Sequence, residues 1–274
     1  MSVKVLILTG YGLNCDYETD YSLTLAGAET HLVHINELIG DNRTVLKGLS
    51  DYHILVFGGG FSWADDHGAG VILASKLKFN MGDEVDRFVQ DGGLVIGICN
   101  GFQSLVNLGL LPGFDNNYNE RRVALVNNDC GNFIDTWVNL KINPESSCVF
   151  TRGMSDIELP VRHGEGKFFA SDSDIEQLCS NGQVVMQYAD QNGGPANGGP
   201  ANPNGSLMDI AGICDPTGRI FGLMPHPEAF NNFTNHPDWI LKKEALKRKG
   251  KSFGNTEGDG IRIFRNAVEY ISSL

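Results

Sequence analysis

The sequence predicts a single-domain α/β protein built on an open, mostly parallel sheet with helices on both faces. Three observations carry that expectation. Short β-rich runs alternate with helical stretches through the first 110 residues, the pattern of a parallel sheet covered on both sides. With 274 residues, 41% apolar and 20% charged, the chain can bury one large core. Glycine-rich turns, Gly58-Gly59-Gly60 and Gly97 to Gly101, fall at the carboxyl ends of strands, where open α/β sheets bind their ligands.

The elements follow in order. Lys4 to Leu8, Thr30 to Ile35, His53 to Phe57 and Leu94 to Ile98 read as strands, with helices over 16–27, 69–91 and 100–109. From about residue 121 the texture turns to strand-like pieces: Val123 to Asn127, Trp137 to Ile142, Ile157 to Val161, Val184 to Tyr188, Ile210 to Cys214 and Ile220 to Met224. The last two flank Asp215-Pro216-Thr217-Gly218, a turn signal, and form a hairpin. These strands extend the sheet rather than build a second core. A polar helix over 237–249 and one over 260–272, with Ile261, Phe264, Val268 and Ile271 at helical spacing, close the chain. Between them and the sheet, Asn192-Gly-Gly-Pro-Ala repeats at Asn197 and decays by residue 205, which reads as a flexible surface loop. Asp16, after Asn14-Cys15, is expected to cap the first helix.

Composition narrows the function. A formal net charge of −12 repels phosphate backbones and anionic lipid, so neither nucleic acid nor a membrane is an expected partner. The apolar run Val5 to Leu8 is too short for a signal h-region, and no stretch reaches bilayer length; the expected location is the cytoplasm. The six cysteines lack a C-x-x-C pair and are expected to be reduced thiols.

Chemistry concentrates in two stretches. Gly97-Ile98-Cys99-Asn100-Gly101 follows a strand and opens a helix, the form of a nucleophile elbow with sulfur at its tip. Met224-Pro225-His226-Pro227-Glu228 supplies a base and its orienting acceptor; in an extended segment, residues two apart share a face, so Glu228 can hold one imidazole nitrogen while the other meets the thiol. An oxyanion hole would take the N–H of Asn100 and one from Gly58-Gly59-Gly60. His163 and Glu165, or His226 and Glu228, have the ligand types of a metal site but no third ligand at a recognisable spacing, so no metal is expected. His163 is expected to shape a partner-facing loop. Cys15 lacks a nearby base or elbow in the sequence.

The stretches GICNGFQSL, NLGLLPG and MPHPE resemble the class I (triad) glutamine amidotransferases. GLNCDYET, GGFSWADDHGAG, RHGEGKF, NPNGSLMDIAGICDPTGRIFGLMPHPE and GDGIRIFRNAV are similar to one branch of them, the glutaminases of the phosphoribosylformylglycinamidine synthases of purine biosynthesis. The resemblance runs in order along nearly the whole chain, residues 1–274 being one amidotransferase domain of flavodoxin-like fold. It implies that Cys99 attacks the side-chain amide of glutamine, that His226 moves protons and that Glu228 orients it. It implies oxyanion donors at Asn100 and at Gly60 or Gly59, and a glutamine contact at Gln103. It also implies no cofactor in this chain, and a separate large synthetase that uses ATP and Mg to convert formylglycinamide ribonucleotide to its amidine, with or without a small accessory subunit.

The chain departs from the branch in three places. Thr136 stands before Trp137 where a basic residue is usual, GGFSW replaces GGFSY, and 229–257 has no counterpart. Within 229–257, Lys242, Lys243, Lys247, Arg248, Lys249 and Lys251 form a basic run that reads as a solvated face or as a docking surface for an acidic partner. Competing readings keep the elbow but change the acyl group, as in a stand-alone γ-glutamyl hydrolase, or retain the fold as a non-catalytic binding subunit.

Overall fold

The computed structural model describes residues 2–39, 48–250 and 256–274. One nine-stranded sheet organises them. Its strands are β1 (Lys4–Thr9), β2 (Glu29–His34), β3 (Ile54–Phe57), β4 (Leu94–Ile98), β6 (Ile134–Ile142), β7 (Asp156–His163), β9 (Val184–Ala189), β10 (Ile210–Cys214) and β11 (Ile220–Leu223), while β5 (Val123–Asn127) and β8 (Glu165–Ala170) pair separately as an antiparallel ribbon. The order across the large sheet is β2-β1-β3-β4-β11-β10-β9-β6-β7. From β2 to β11 every pairing is parallel, the doubly wound order expected of a flavodoxin-like sheet, and from β11 to β7 every pairing is antiparallel. Five of the later strands therefore extend the first sheet, as the sequence implies, whereas the expected strand Val123 to Asn127 does not: as β5 it pairs with β8 in the separate ribbon.

Burial explains which strands lie in the middle. β3 is Ile-Leu-Val-Phe and β4 Leu-Val-Ile-Gly-Ile, all buried, because helices cover both faces. β2 at the edge, Glu-Thr-His-Leu-Val-His, buries one residue. The helices are α1 (Asp16–Leu25), α2 (Ile35–Ile39), α3 (Val71–Gln90), α4 (Asn100–Leu108), α5 (Asp172–Ser180), α6 (Trp239–Arg248) and α7 (Ile261–Ser272). α3 lays Leu73, Leu77, Met81, Val85 and Phe88 on the core at three- and four-residue spacing and packs beside α2 and α4. α1 packs beside α7, which buries Ile261, Phe264 and Val268. No described helix is long and apolar enough to cross a membrane.

Several sequence expectations shift. Ile35 leaves β2 and opens α2, its side chain buried, so the second strand is Glu29–His34 rather than Thr30 to Ile35. β6 begins three residues early at Ile134 and β7 runs to His163. Three elements, α2, β8 and α5, had no expected counterpart. Asp16 is the first helical residue of α1 and caps nothing: Cys15 holds the cap position without a side-chain bond, and the Asp16 carboxylate accepts the Tyr17 N–H at 3.1 Å. The second half of the 192–205 segment is not a loose loop. Asn202 and Asn204 are buried, and their amides donate to Ser206 and Asp209 and to Gly166 and the Tyr188 hydroxyl. The basic run is partly engaged within the chain: Lys242 pairs with Glu158, Arg248 with Glu244 at 3.2 Å, and Lys243 lies over Trp239. Lys251 falls outside the described residues.

Candidate active site

Parallel pairing of β4 with β11 creates the site. Ile98 is in register with Leu223, and the Cys99 N–H donates to the Leu223 carbonyl at 2.8 Å, so the residues leaving these two strands at their carboxyl ends are neighbours. One strand ends in Cys99, the other runs into His226. Cys99 has φ 52° and ψ −105°, a conformation that costs a non-glycine residue of order 1–3 kcal/mol, held here by the strand before it and α4 behind it. The strained turn from strand to helix has the form of the elbow expected from the sequence. The turn is tight enough that a Cβ on Gly101 would stand 1.9 Å from the Phe57 carbonyl oxygen, so only glycine lets α4 close on β3.

His226 is fixed from both sides. Its N–H donates to the Pro160 carbonyl of β7 at 2.8 Å, and its ring Nδ1 stands 2.6 Å from Glu228 Oε1. A carboxylate only accepts, so Nδ1 carries the proton of that bond and Nε2 is the free base position. The expected partnership of His226 and Glu228 holds, but not through an extended segment: Pro227–Ala229 forms a 3-10 turn. Burial acts to lower the proton affinity of the ring, yet Glu228 and then Cys99, with further hydrogen-bond contributions from the two nearby cysteines, raise its pKa well above the ordinary value. Nε2 is buried without a hydrogen-bond partner among the described residues, and the Cys99 thiol meets the Arg162 carbonyl at 3.6 Å.

The helix behind the nucleophile is tied to the strand-end turns. Asn100 opens α4, so its backbone N–H has no acceptor within the helix. Its side chain donates to Asp65 at 2.9 Å and to Gln103 Oε1 at 3.1 Å, and accepts the Ser62 N–H at 3.3 Å. Gln103 donates to the Glu165 carbonyl, so its side chain braces β8 against α4 at the edge of the site. Gly59 follows β3; its carbonyl accepts from the N–H groups of Asn14 and Cys15, and Gly60 bridges Leu13.

Residues 2–271 match the CobB/CobQ-like glutamine amidotransferase domain. The chain belongs to this family. A phosphoribosylformylglycinamidine synthase subunit PurQ of Methanococcus maripaludis is 46% identical over 270 residues, 98% of this chain and 97% of that protein. The protein of the same name from Dehalococcoides mccartyi is 47% identical over 268 residues, with the same coverage of 98% and 97%. Among solved structures, a chain of PurLQS from Thermotoga maritima matches with a TM-score of 0.71 at 26% identity, over 99% of this chain and 100% of that one.

Three features of this amidotransferase escape sequence reasoning. His163 is not a loop residue but ends β7, 2% exposed, with Nδ1 3.1 Å from Asn128 Oδ1; burial and then the nearby His226 lower its pKa to about 4. Asp65 and Glu165 lie close enough to repel across the Asn100 side chain: burial, and next the charge of Glu165, raise Asp65 to about 6. Cys15 does have a base beside it, since its sulfur lies 4.0 Å from His226 Nδ1. The departures from the resembling branch also find local reasons. Trp137 packs edge-on against Phe230 at 5.0 Å and beside His236 at 4.5 Å, whereas Thr136 faces Val161 across the strand pair. Trp63 stacks on Tyr11 at 4.5 Å.

Proposed function

We propose that Cys99, His226 and Glu228 hydrolyse glutamine through a glutamyl thioester and release ammonia. The observation that carries this reading is a cysteine at a strained strand-to-helix elbow beside a buried imidazole held by a carboxylate at 2.6 Å. The chain is the glutaminase subunit of a phosphoribosylformylglycinamidine synthase, an enzyme of purine biosynthesis.

The chemistry follows from the donors present. Nε2 of His226 takes the Cys99 thiol proton as the sulfur attacks the side-chain carbonyl carbon of glutamine, and the carbonyl oxygen becomes an oxyanion facing the N–H of Asn100 and one from Gly59 or Gly60. The protonated imidazole, kept charged by Glu228, gives its Nε2 proton to the leaving nitrogen, which departs as ammonia. Water then attacks the thioester, Nε2 takes its proton, and glutamate leaves with the sulfur restored. Gln103 holds the glutamine from the α4 side. The chain itself needs no cofactor for this. Ammonia passes to a separate large synthetase subunit that uses ATP and Mg to make the amidine of formylglycinamide ribonucleotide, with a small accessory subunit as a further component and the cytoplasm as the setting.

The test compares nitrogen sources in the reconstituted complex. Cys99→Ala is expected to abolish glutamine-dependent synthesis and to spare ammonia-dependent synthesis. Glutamine hydrolysis at the original rate by Cys99→Ala would show that the nucleophile is elsewhere.

A further inference from the structure

The start of α1 brings a third donor to the catalytic pair. The sulfur of Cys15, an imidazole nitrogen of His226 and a carboxylate oxygen of Glu228 all lie within 4.8 Å of one another, although Cys15 is 211 positions from His226 in the chain. The second carboxylate oxygen of Glu228, Oε2, is buried and has no hydrogen-bond partner among the described residues. His226 and Glu228 are buried, while Cys15 is only half-buried, so the cluster opens on the cysteine side.

We infer that Cys15, His226 and Glu228 form an inhibitory binding site for a thiophilic divalent cation, with Zn²⁺ as the best fit; the inference rests on His226 being the base of the glutaminase. A thiolate, an imidazole and a carboxylate are the donor types that zinc takes in tetrahedral sites, at about 2.3 Å to sulfur and about 2.0–2.2 Å to nitrogen and oxygen. Around such an ion neighbouring donors stand about 3.3–3.7 Å apart. The sulfur-to-Nδ1 separation of 4.0 Å is near that value, and the 2.6 Å separation of Nδ1 from Glu228 Oε1 has to open by under about 1 Å. The fourth position is left to water. Charge and protons also balance: the cation displaces the Cys15 thiol proton to solvent and drives the Nδ1 proton from its bond with Glu228 to Nε2, and one thiolate with one carboxylate neutralises the two positive charges, so a buried site carries no net charge.

Occupancy would switch off the base without touching the nucleophile. Nδ1 gives its lone pair to the metal, so the single proton of the neutral ring must sit on Nε2. That nitrogen can then accept no proton from the attacking water or from Cys99, and glutamine hydrolysis stops. The Cys15 thiol takes no part in the glutaminase chemistry itself.

The test titrates ZnCl₂ into the complex with either glutamine or ammonium as nitrogen source. Zinc is expected to suppress the glutamine-dependent reaction and leave the ammonia-dependent one unchanged. Cys15→Ala should keep its zinc-free glutaminase activity and need at least about tenfold more zinc for half-inhibition. A second measurement uses Co²⁺ and the full chain carrying Cys99→Ala: a sulfur-to-cobalt charge-transfer band should persist there and vanish in Cys15→Ala. Equal zinc sensitivity in Cys15→Ala, or a band that follows Cys99, would put the metal on the nucleophile and overturn the proposal, as would insensitivity of the wild-type complex to zinc. Failure of the glutaminase reading would show separately, as zinc-free activity surviving in Cys99→Ala.

Discussion

Gly59 lies against the His226 ring, and Gly59→Ala measures how closely that ring must be held for the proposed chemistry. A Cβ there would stand 2.8 Å from His226 Cε1, 3.3 Å from Nδ1 and 3.1 Å from the Cys15 sulfur. Carbon atoms pack at about 3.5–4.0 Å, so the imidazole must retreat by roughly 0.7 Å. It has little freedom to do so, because Glu228 grips Nδ1 at 2.6 Å and the Pro160 carbonyl fixes the His226 N–H at 2.8 Å. The backbone conformation at Gly59 lies outside the left-handed region, so alanine brings only its methyl group. A displacement of about 1 Å in a positioned group can cost roughly 100-fold. We therefore expect glutamine-dependent kcat/KM to fall about 10- to 100-fold, equivalent to about 1.4–2.7 kcal/mol of transition-state stabilisation.

The assay is glutamate release by the complex, with ammonia-dependent synthesis as the control for intact assembly. Gly58→Ala is the internal reference, since a Cβ at Gly58 meets nothing within 4 Å among the described residues and should leave activity near wild type. Alanine keeps the backbone N–H, so a purely oxyanion role for residue 59 predicts no loss. Gly59→Ala activity within about twofold of Gly58→Ala would refute the steric argument.

Further outcomes follow from the same geometry. Glu228→Gln removes the charge that keeps the His226 pKa high, so glutaminase activity should fall roughly 10²–10⁴-fold, and the alkaline limb of any residual pH profile should move to lower pH. Asp65 has a folded-state pKa of about 6 against an ordinary 3.8, so the folded protein binds this proton more tightly and stability falls as pH rises between those values. A two-unit shift corresponds to about 3 kcal/mol, which solvent screening of this half-exposed group reduces to about 1 kcal/mol. Asp65→Asn should therefore raise thermal stability at pH 7.5 and flatten its dependence between about pH 4 and 6. Gly101→Ala drives a methyl group into the Phe57 carbonyl and should cost about 3 kcal/mol or more, lowering Tm by roughly 6–12 °C in calorimetry.

The parallel half of the fold was legible because its signals are local. β1, β3 and β4 are runs of buried apolar residues, and the hairpin of β10 with β11 announces itself through Asp215 to Gly218. Asp215 closes that turn, accepting the backbone N–H groups of Arg219 and Ile220 at 2.9 and 2.8 Å. The missed elements lack such runs. β8 is Glu-Gly-Lys-Phe-Phe-Ala, with a glycine and two charges diluting its strand character. α5 is mostly polar, with Ile175 and Leu178 as its aliphatic residues, and fully buries only Asp174 and Leu178, although its Ser171 cap, which accepts the Asp174 N–H at 3.2 Å, was a readable start signal.

The site divides along the same line. The elbow and the His-Pro-Glu stretch could be read because each needs only a few consecutive residues, and their meeting follows once β4 and β11 are adjacent. The orphans of the sequence are residues whose meaning is set by long-range closure. Asn202 and Asn204 look like the tail of a low-complexity repeat until the chain folds round them, where the Asn202 amide donates to the Ser206 carbonyl and to Asp209 and the Asn204 amide to the Gly166 carbonyl of β8. His163 looks like a loop residue until β7 carries it into the interior near His226, where burial, and then the charge of His226, lower its pKa to about 4. Cys15 is the clearest case. No spacing within its own stretch hints at a base, because its partner arrives from 211 residues away, through a turn in which the Gly59 carbonyl holds the Cys15 N–H at 3.2 Å. The same contact that fixes the start of α1 thus sets a thiol against the ring nitrogen that Glu228 needs, and a metal competing for that nitrogen would have to break the bond on which the base depends.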